Sequence, residues 1–137
     1  MLGRLRTAPP LILAACVLFV GIFLSGKYDL YTYWEHFDTA LHALGGLAVA
    51  WFGLVIFQRE ITHLIPWKQV VIFVSFATFI GVLWEFAEYL VGIYPDVVPW
   101  LYHWFHGGDL ADTLTDLSAD MVGALVLTLW ALEKERK

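Results

Sequence analysis

Between Lys68 and the last apolar residues of the chain there is no Lys or Arg, yet that stretch holds Glu85, Glu88, Asp96, Asp109, Asp112, Asp116 and Asp120. Most of these carboxylates sit inside segments hydrophobic enough to span a bilayer. A bare carboxylate in hydrocarbon costs roughly 2.5–3.5 kcal/mol on insertion scales. A chain that keeps several of them without basic partners must protonate them, hydrate them or bind cations. This narrows both the fold and the chemistry.

The apolar setting is plain from composition. The 137 residues are 60% hydrophobic and 17% aromatic, with only 15% charged, and the mean hydropathy is +0.70. Those values indicate an integral membrane protein of one domain. No basic patch interleaved with aromatics is present, so nucleic-acid binding is excluded as a reading. The lone Cys16 leaves no disulfide framework and no multi-cysteine zinc site, and reads as an apolar filler.

Four apolar stretches, about 9–25, 38–57, 69–92 and 113–132, approach the ~20 residues that a crossing helix needs. Pro9 and Pro10 suit the first turn of the first, where a missing N–H is harmless. Arg4, Arg6 and Leu13-Ala14-Ala15-Cys16 imitate a secretory or lipoprotein leader. The apolar run continues through Val17–Leu24, however, which favours a retained first span. The connection Ile93–Ala111 contains Trp100-Leu101-Tyr102-His103-Trp104-Phe105, the composition of a segment lying in the membrane interface. The expected fold is therefore all-α and polytopic: four transmembrane helices in a compact bundle, with an interfacial segment between helices three and four.

Basic residues orient that bundle. Arg4, Arg6, Arg59, Lys68, Lys134, Arg136 and Lys137 fall on one side and only Lys27 on the other. The positive-inside bias places both termini in the cytoplasm of a multi-pass protein of the plasma (bacterial inner) membrane, with the first and third connections outside.

On this frame the polar residues gather. Asp38 and His42 open span two from outside, one turn apart; Glu85 and Glu88 lie near the outer end of span three. Asp112, Asp116 and Asp120 open span four at i, i+4 steps. Residues three or four apart share a helix face. At the helical rise, His42, Glu85 and Asp120 fall roughly 6–13 Å below the outer boundary, so three helices serve one layer. Gly45, Gly46 and Gly53 in span two, Ala77, Gly81 and Gly92 in span three, and Gly123 in span four let the helices approach closely.

Carboxylates and an imidazole donated from facing helices make a hard donor set that suits a divalent ion, Mg²⁺, Mn²⁺, Zn²⁺, Fe²⁺ or Ca²⁺. All seven of Asp38, His42, Glu85, Glu88, Asp112, Asp116 and Asp120 are candidate ligands, and His42, Glu85 and Asp116 are the candidate catalytic residues. The competing reading is a hydrogen-bonded polar core that only fixes helix packing. Asp109 reads as a helix N-cap, a role open to Asp112 as well, Asp96 as a turn residue, and His103 and His106 as loop histidines near the interface, with completion of a metal shell as their alternative. Thr113, Thr115 and Ser118 either donate to the carboxylates or bond back to their own helix.

Three patterns in order, Asp38-x-x-x-His42-x-x-Gly45-Gly46, Trp84-Glu85-x-x-Glu88-Tyr89 and Gly108-Asp109-x-x-Asp112-Thr113-x-x-Asp116 followed by Asp120 and Gly123-Ala124, resemble the small bacterial membrane proteins of the YjdF-like type. More distantly they resemble the VanZ-like family, whose pattern more often ends in Asn where this chain has Asp120. The resemblance covers about residues 36–125 and implies a membrane fold. Its VanZ-like side implies a role in cell-surface properties or glycopeptide (teicoplanin) resistance.

Three functions compete. The first is a metal-dependent membrane enzyme at the outer leaflet, acting on a lipid or lipid-linked headgroup by hydrolysis or group transfer. No serine-nucleophile pattern and no phosphate-binding glycine loop appears, so metal-activated water is the economical chemistry. The second is a cation or proton transporter, which with four short spans would need a homo-oligomer. The third is a non-catalytic protein with a structural polar core.

Overall fold

The structure is a computed structural model that describes residues 7–61, 63–97, 99 and 108–135, and its regular structure is entirely helical there. Helix α1 (Ala8–Phe19) begins with its two prolines in the first turn and runs into a π-helical turn, Val20–Leu24. After α2 (Ser25–Tyr28) the chain reverses at Asp29, whose φ of 52° and ψ of 44° are left-handed. Asp tolerates that conformation because its short side chain bonds locally, here accepting from the Thr32 hydroxyl at 2.9 Å. Helix α3 (Leu30–Tyr33) follows, then three long helices: α4 (Phe37–Ile61), α5 (Pro66–Ile93) and α6 (Leu110–Glu135).

The long helices extend the expected spans by a few residues at their ends, and all three are long and apolar enough to cross a membrane. The apolar part of the first, Ala8–Leu24, is shorter. The Trp100–Phe105 segment, His103 and His106 lie outside the described residues. Asp96 sits in the turn after α5, where the Val97 N–H donates to the Tyr94 carbonyl at 3.1 Å.

Helix α4 is the hub. It packs most extensively on α6 and also against α1 and α5, while α5 packs on α6. One half of the bundle is a conventional apolar core of Ala50, Leu54, Phe73, Ala77, Ala124 and Leu127. Thr128 is wholly buried within that half and donates back to the Ala124 carbonyl at 2.7 Å. The outside is as apolar as the inside: Leu11, Phe19, Phe79, Phe86, Val126 and Trp130 are exposed. Water does not tolerate a contiguous apolar surface of this kind, and lipid does.

Close approach of α4 and α6 rests on a reciprocal glycine pair. A Cβ on Gly46 would overlap the Asp120 backbone carbonyl, and a Cβ on Gly123 would overlap that of Ala43. The backbones touch, as small residues permit in helix pairs within lipid. Two sequence expectations need correction. Gly92 has nothing within 4 Å of a would-be Cβ, because it lies near the end of α5, past its packed face. Cys16 is exposed on α1 and fills no gap.

Helix α6 starts on a side-chain cap. The Asp109 Oδ1 accepts the backbone N–H groups of Ala111 at 2.8 Å and Asp112 at 3.1 Å, satisfying two of the donors that a helix start leaves open.

Two predictions follow from these contacts. Gly46→Ala and Gly123→Ala will each destabilise the protein by about 1–3 kcal/mol, the cost of overpacking a filled interface. Gly92→Ala will be neutral or stabilising by about 0.5 kcal/mol. Unfolding in detergent micelles, followed by circular dichroism, checks the contrast. Asp109→Ala will cost about 1 kcal/mol, and Asp109→Ser will recover most of it, in the same assay.

Candidate functional site

The first turns of α4 and α6 and the last turns of α5 meet at the end of the bundle opposite the apolar core. Asp38 and His42 stand one turn apart on α4, and their shared face turns inward. His42 is only 8% exposed, so its ring is surrounded by the neighbouring helices. Asp120 of α6 stands against one edge, its Oδ2 lying 3.4 Å from His42 Nδ1. The opposite edge faces two other carboxylates: Nε2 is 3.8 Å from Glu85 Oε1 on α5 and 4.0 Å from Asp38 Oδ1. One imidazole thus touches carboxylates from three helices.

Asp116 completes the group. It is 2% exposed, and donor atoms of Asp38, His42 and Asp116 all lie within 4.8 Å of one another. Two buried oxygens, Glu85 Oε1 and Asp116 Oδ1, accept no hydrogen bond from any described residue. Buried polar atoms are nearly always paired, so two orphans in one cluster mark a place where a donor or a cation belongs.

The glycines explain how Asp120 reaches the centre. Its carboxylate occupies the space that a Cβ on Gly81 of α5 would need, and its Oδ1 would stand 3.8 Å from a Cβ on Gly45 of α4. A side chain at Gly81 would push it away from His42, whereas a methyl at Gly45 would only touch it. The glycine face therefore sets the helix separation and the position of the acid together.

The remaining candidates occupy the rim. Glu88 is buried and accepts the Trp84 indole N–H at 2.8 Å. It lines a cavity beside the cluster together with Asp38, His42 and Asp120. Asp112 is exposed. A Cβ on Gly108 would overlap its carboxylate. The structure therefore brings Asp38, His42, Glu85, Asp116 and Asp120 together, keeps Glu88 one step away, and leaves Asp112 outside the buried group. Thr115 and Ser118 bond back to Ala111 and Leu114 at 2.9 and 2.7 Å, whereas Thr113 faces Glu85.

Sequence reasoning missed Tyr31. The left-handed turn at Asp29 folds α3 over the site, where the Tyr31 ring packs edge-on against Phe37 with centroids 5.2 Å apart. Its hydroxyl reaches Ser25 and Asp38, and burial, followed by the charges of Asp38 and Glu88, holds the phenol above its usual pKa. Tyr31 therefore stays a neutral donor toward the carboxylates. No spacing rule signals it, because it arrives from a four-residue helix. Trp84 was legible in principle, since Trp84 and Glu88 stand at i, i+4.

The arrangement is rich in negative charge. A protonated His42 would balance one carboxylate among Asp38, Glu85, Asp116 and Asp120. Lys27 on α2 stacks instead on Tyr28, 5.2 Å from the ring centroid. Atoms that each stand about 2.0–2.2 Å from a shared ion are themselves separated by roughly 3–4 Å. The 3.8 and 4.0 Å spacings about Nε2 suit such an ion after small closing movements. Among the described residues, Asp38, His42 and Asp116 are the group whose donor atoms could hold a metal ion.

No curated protein and no solved structure matches the chain. Its apolar helices and outward-facing apolar surface make it a membrane protein, as does the family match, which agrees with the YjdF-like pattern of its motifs. Over residues 4–136 the chain matches, and belongs to, the family described as "Predicted membrane protein (DUF2238)".

Proposed function

We propose that this protein spans the membrane four times with both termini in the cytoplasm, and that it holds a divalent cation in an outward-facing site of the plasma (bacterial inner) membrane. There it acts on a lipid or lipid-linked headgroup by hydrolysis or group transfer. The observation that carries this reading is the mutual approach, within 4.8 Å, of donor atoms from Asp38, His42 and Asp116, in a setting where orphaned carboxylate oxygens need a positive partner.

Each side chain has a distinct part. Asp38, Asp116 and the His42 Nε2 are the first ligands, with Glu85 beside them as a further ligand or as the base that takes a proton from an attacking group. Asp120 lies on the other ring nitrogen. A carboxylate on the second nitrogen fixes the tautomer and orientation of a ligating histidine, so Asp120 is assigned to positioning His42. Glu88, Trp84 and Tyr31 form the wall against which a headgroup rests. A cation bound here offsets the carboxylate charge, polarises a phosphoryl or carbonyl oxygen and lowers the pKa of bound water. With no Lys or Arg in this stretch of sequence, that cation also takes the place of the basic side chains that usually grip a phosphate.

Among the described residues the buried charged groups cluster at one end of the bundle, and the other half is an apolar core. That asymmetry favours a one-sided pocket over a path through the membrane. Elemental analysis of the purified protein tests the reading: about one divalent ion per chain is expected, and His42→Ala and Asp116→Asn will lose it. Asp120→Asn will retain the ion with roughly 10–100-fold weaker affinity, the usual effect of removing an outer partner. Metal-free wild-type protein, with variants that change only stability, would leave a structural polar core as the answer. Cation flux into liposomes without turnover of any lipid would assign the site to transport by a homo-oligomer.

A further inference from the structure

Beside the carboxylate cluster lies a cavity of about 280 Å³ bounded by α1, α4 and α5. Its lining changes character along its length. Tyr31, Asp38, His42 and Glu88 form one end, Asp120 reaches in at mid-length beside Gly45 and Gly81, and Ala14, Val17, Val49 and Ala77 form the other end. Water would find two to four polar partners at the first end and none at the second. An occupant must therefore be polar at one end and hydrocarbon at the other.

Its dimensions narrow the choice. On α4 the lining runs from Asp38 to Val49, and on α5 it runs from Glu88 back to Ala77. Both intervals are eleven residues, roughly 16 Å at the helical rise. One leaflet of hydrocarbon is about 15 Å deep, half of the ~30 Å core. Access is lateral: α1 packs on α4 and makes almost no contact with α5, so the slot opens between α1 and α5 toward the surrounding apolar medium.

We propose that the slot holds one acyl chain of a glycerophospholipid, entered sideways between α1 and α5, with the headgroup end at Asp38, His42 and Glu88. This deepens, and rests on, the outward-facing membrane site proposed above by naming its substrate class. A diacyl lipid places one chain in the slot and leaves the other in the bilayer, with its ester and headgroup region at the depth of the carboxylate cluster. The small side chains Ala14 and Ala77 keep the far end open.

Photo-crosslinking tests the proposal. The full chain is reconstituted in phosphatidylglycerol vesicles containing a phosphatidylglycerol probe with a mid-chain diazirine, irradiated, and mapped by peptide mass spectrometry. Labelling is expected at Ala14, Val17 and Val49, several-fold above the outward-facing Phe79 and Val126. Ala14→Trp and Val17→Trp, which block the slot from the α1 side without entering the α4–α6 core, will abolish the excess while leaving the unfolding transition unchanged. Labelling spread evenly over slot and outer faces, or an excess that survives both tryptophans, overturns the proposal. Metal content measured on the same samples separates the two readings. Slot labelling in metal-free protein upholds the chain and removes the cation, and bound metal with even labelling does the reverse.

Discussion

His42 is the point on which the structure turns, because an imidazole buried in an apolar bundle brings carboxylates from three helices into contact range. Asp38, Glu85 and Asp120 lie within 4.0 Å of its two nitrogens. Each would be costly to bury alone. Around one ring they share a partner, yet a single imidazolium cannot balance them all. Packing and function meet in that imbalance: the helices are held together by a polar centre that still needs positive charge. A buried ionic group is weak evidence of stability, since removing such groups from water is expensive.

The glycine contacts show that fold and site are one construction. Gly46 and Gly123 bring α4 and α6 into backbone contact, and Gly81 clears the volume that the Asp120 carboxylate occupies. Any widening of the α4–α6 approach would draw Asp120 away from His42 Nδ1, already at 3.4 Å. The apolar half of the bundle, packed around Phe73 and Ala77, holds the helices in register at the opposite end. The site is thus clamped between a glycine contact and a hydrocarbon core.

Much of this was legible in the sequence, and the failures have geometric causes. Periodicity located the long helices and put Asp38 with His42 and Asp116 with Asp120, because i, i+4 neighbours share a face. The same rule overreached at Asp112. Each i+4 step drifts by about 40°, so Asp112 stands roughly 80° around the helix from Asp120, enough to leave the buried face. Asp109 was readable as a cap because capping is local. Gly92 was misread because a glycine's role depends on a neighbour that the sequence does not name. Tyr31 was invisible for a related reason: a left-handed Asp29 carries it over the site, and no helical spacing records that turn.

The first helix is the least regular element and bears most directly on what reaches the site. Its π-helical turn at Val20–Leu24 lies where α1 passes the cavity, with Gly21 and Ile22 in the lining. Ser25 closes the turn by donating back to the Gly21 carbonyl. Wide turns of this kind are frequent at functional sites, because the extra residue re-aims the following side chains. Here the following residues are Ser25, whose hydroxyl meets Tyr31, and the short helices that close over the cluster. A straight α-helix would continue past the carboxylates without turning back. The irregular turn, the left-handed Asp29 and α3 together fold Tyr31 onto Asp38, so the polar end of the cavity is roofed while its flank between α1 and α5 stays open. On the proposed reading, a site roofed at the end and open along the side suits a reactant that diffuses within the bilayer, since such a molecule need never leave hydrocarbon to bring its polar group to His42.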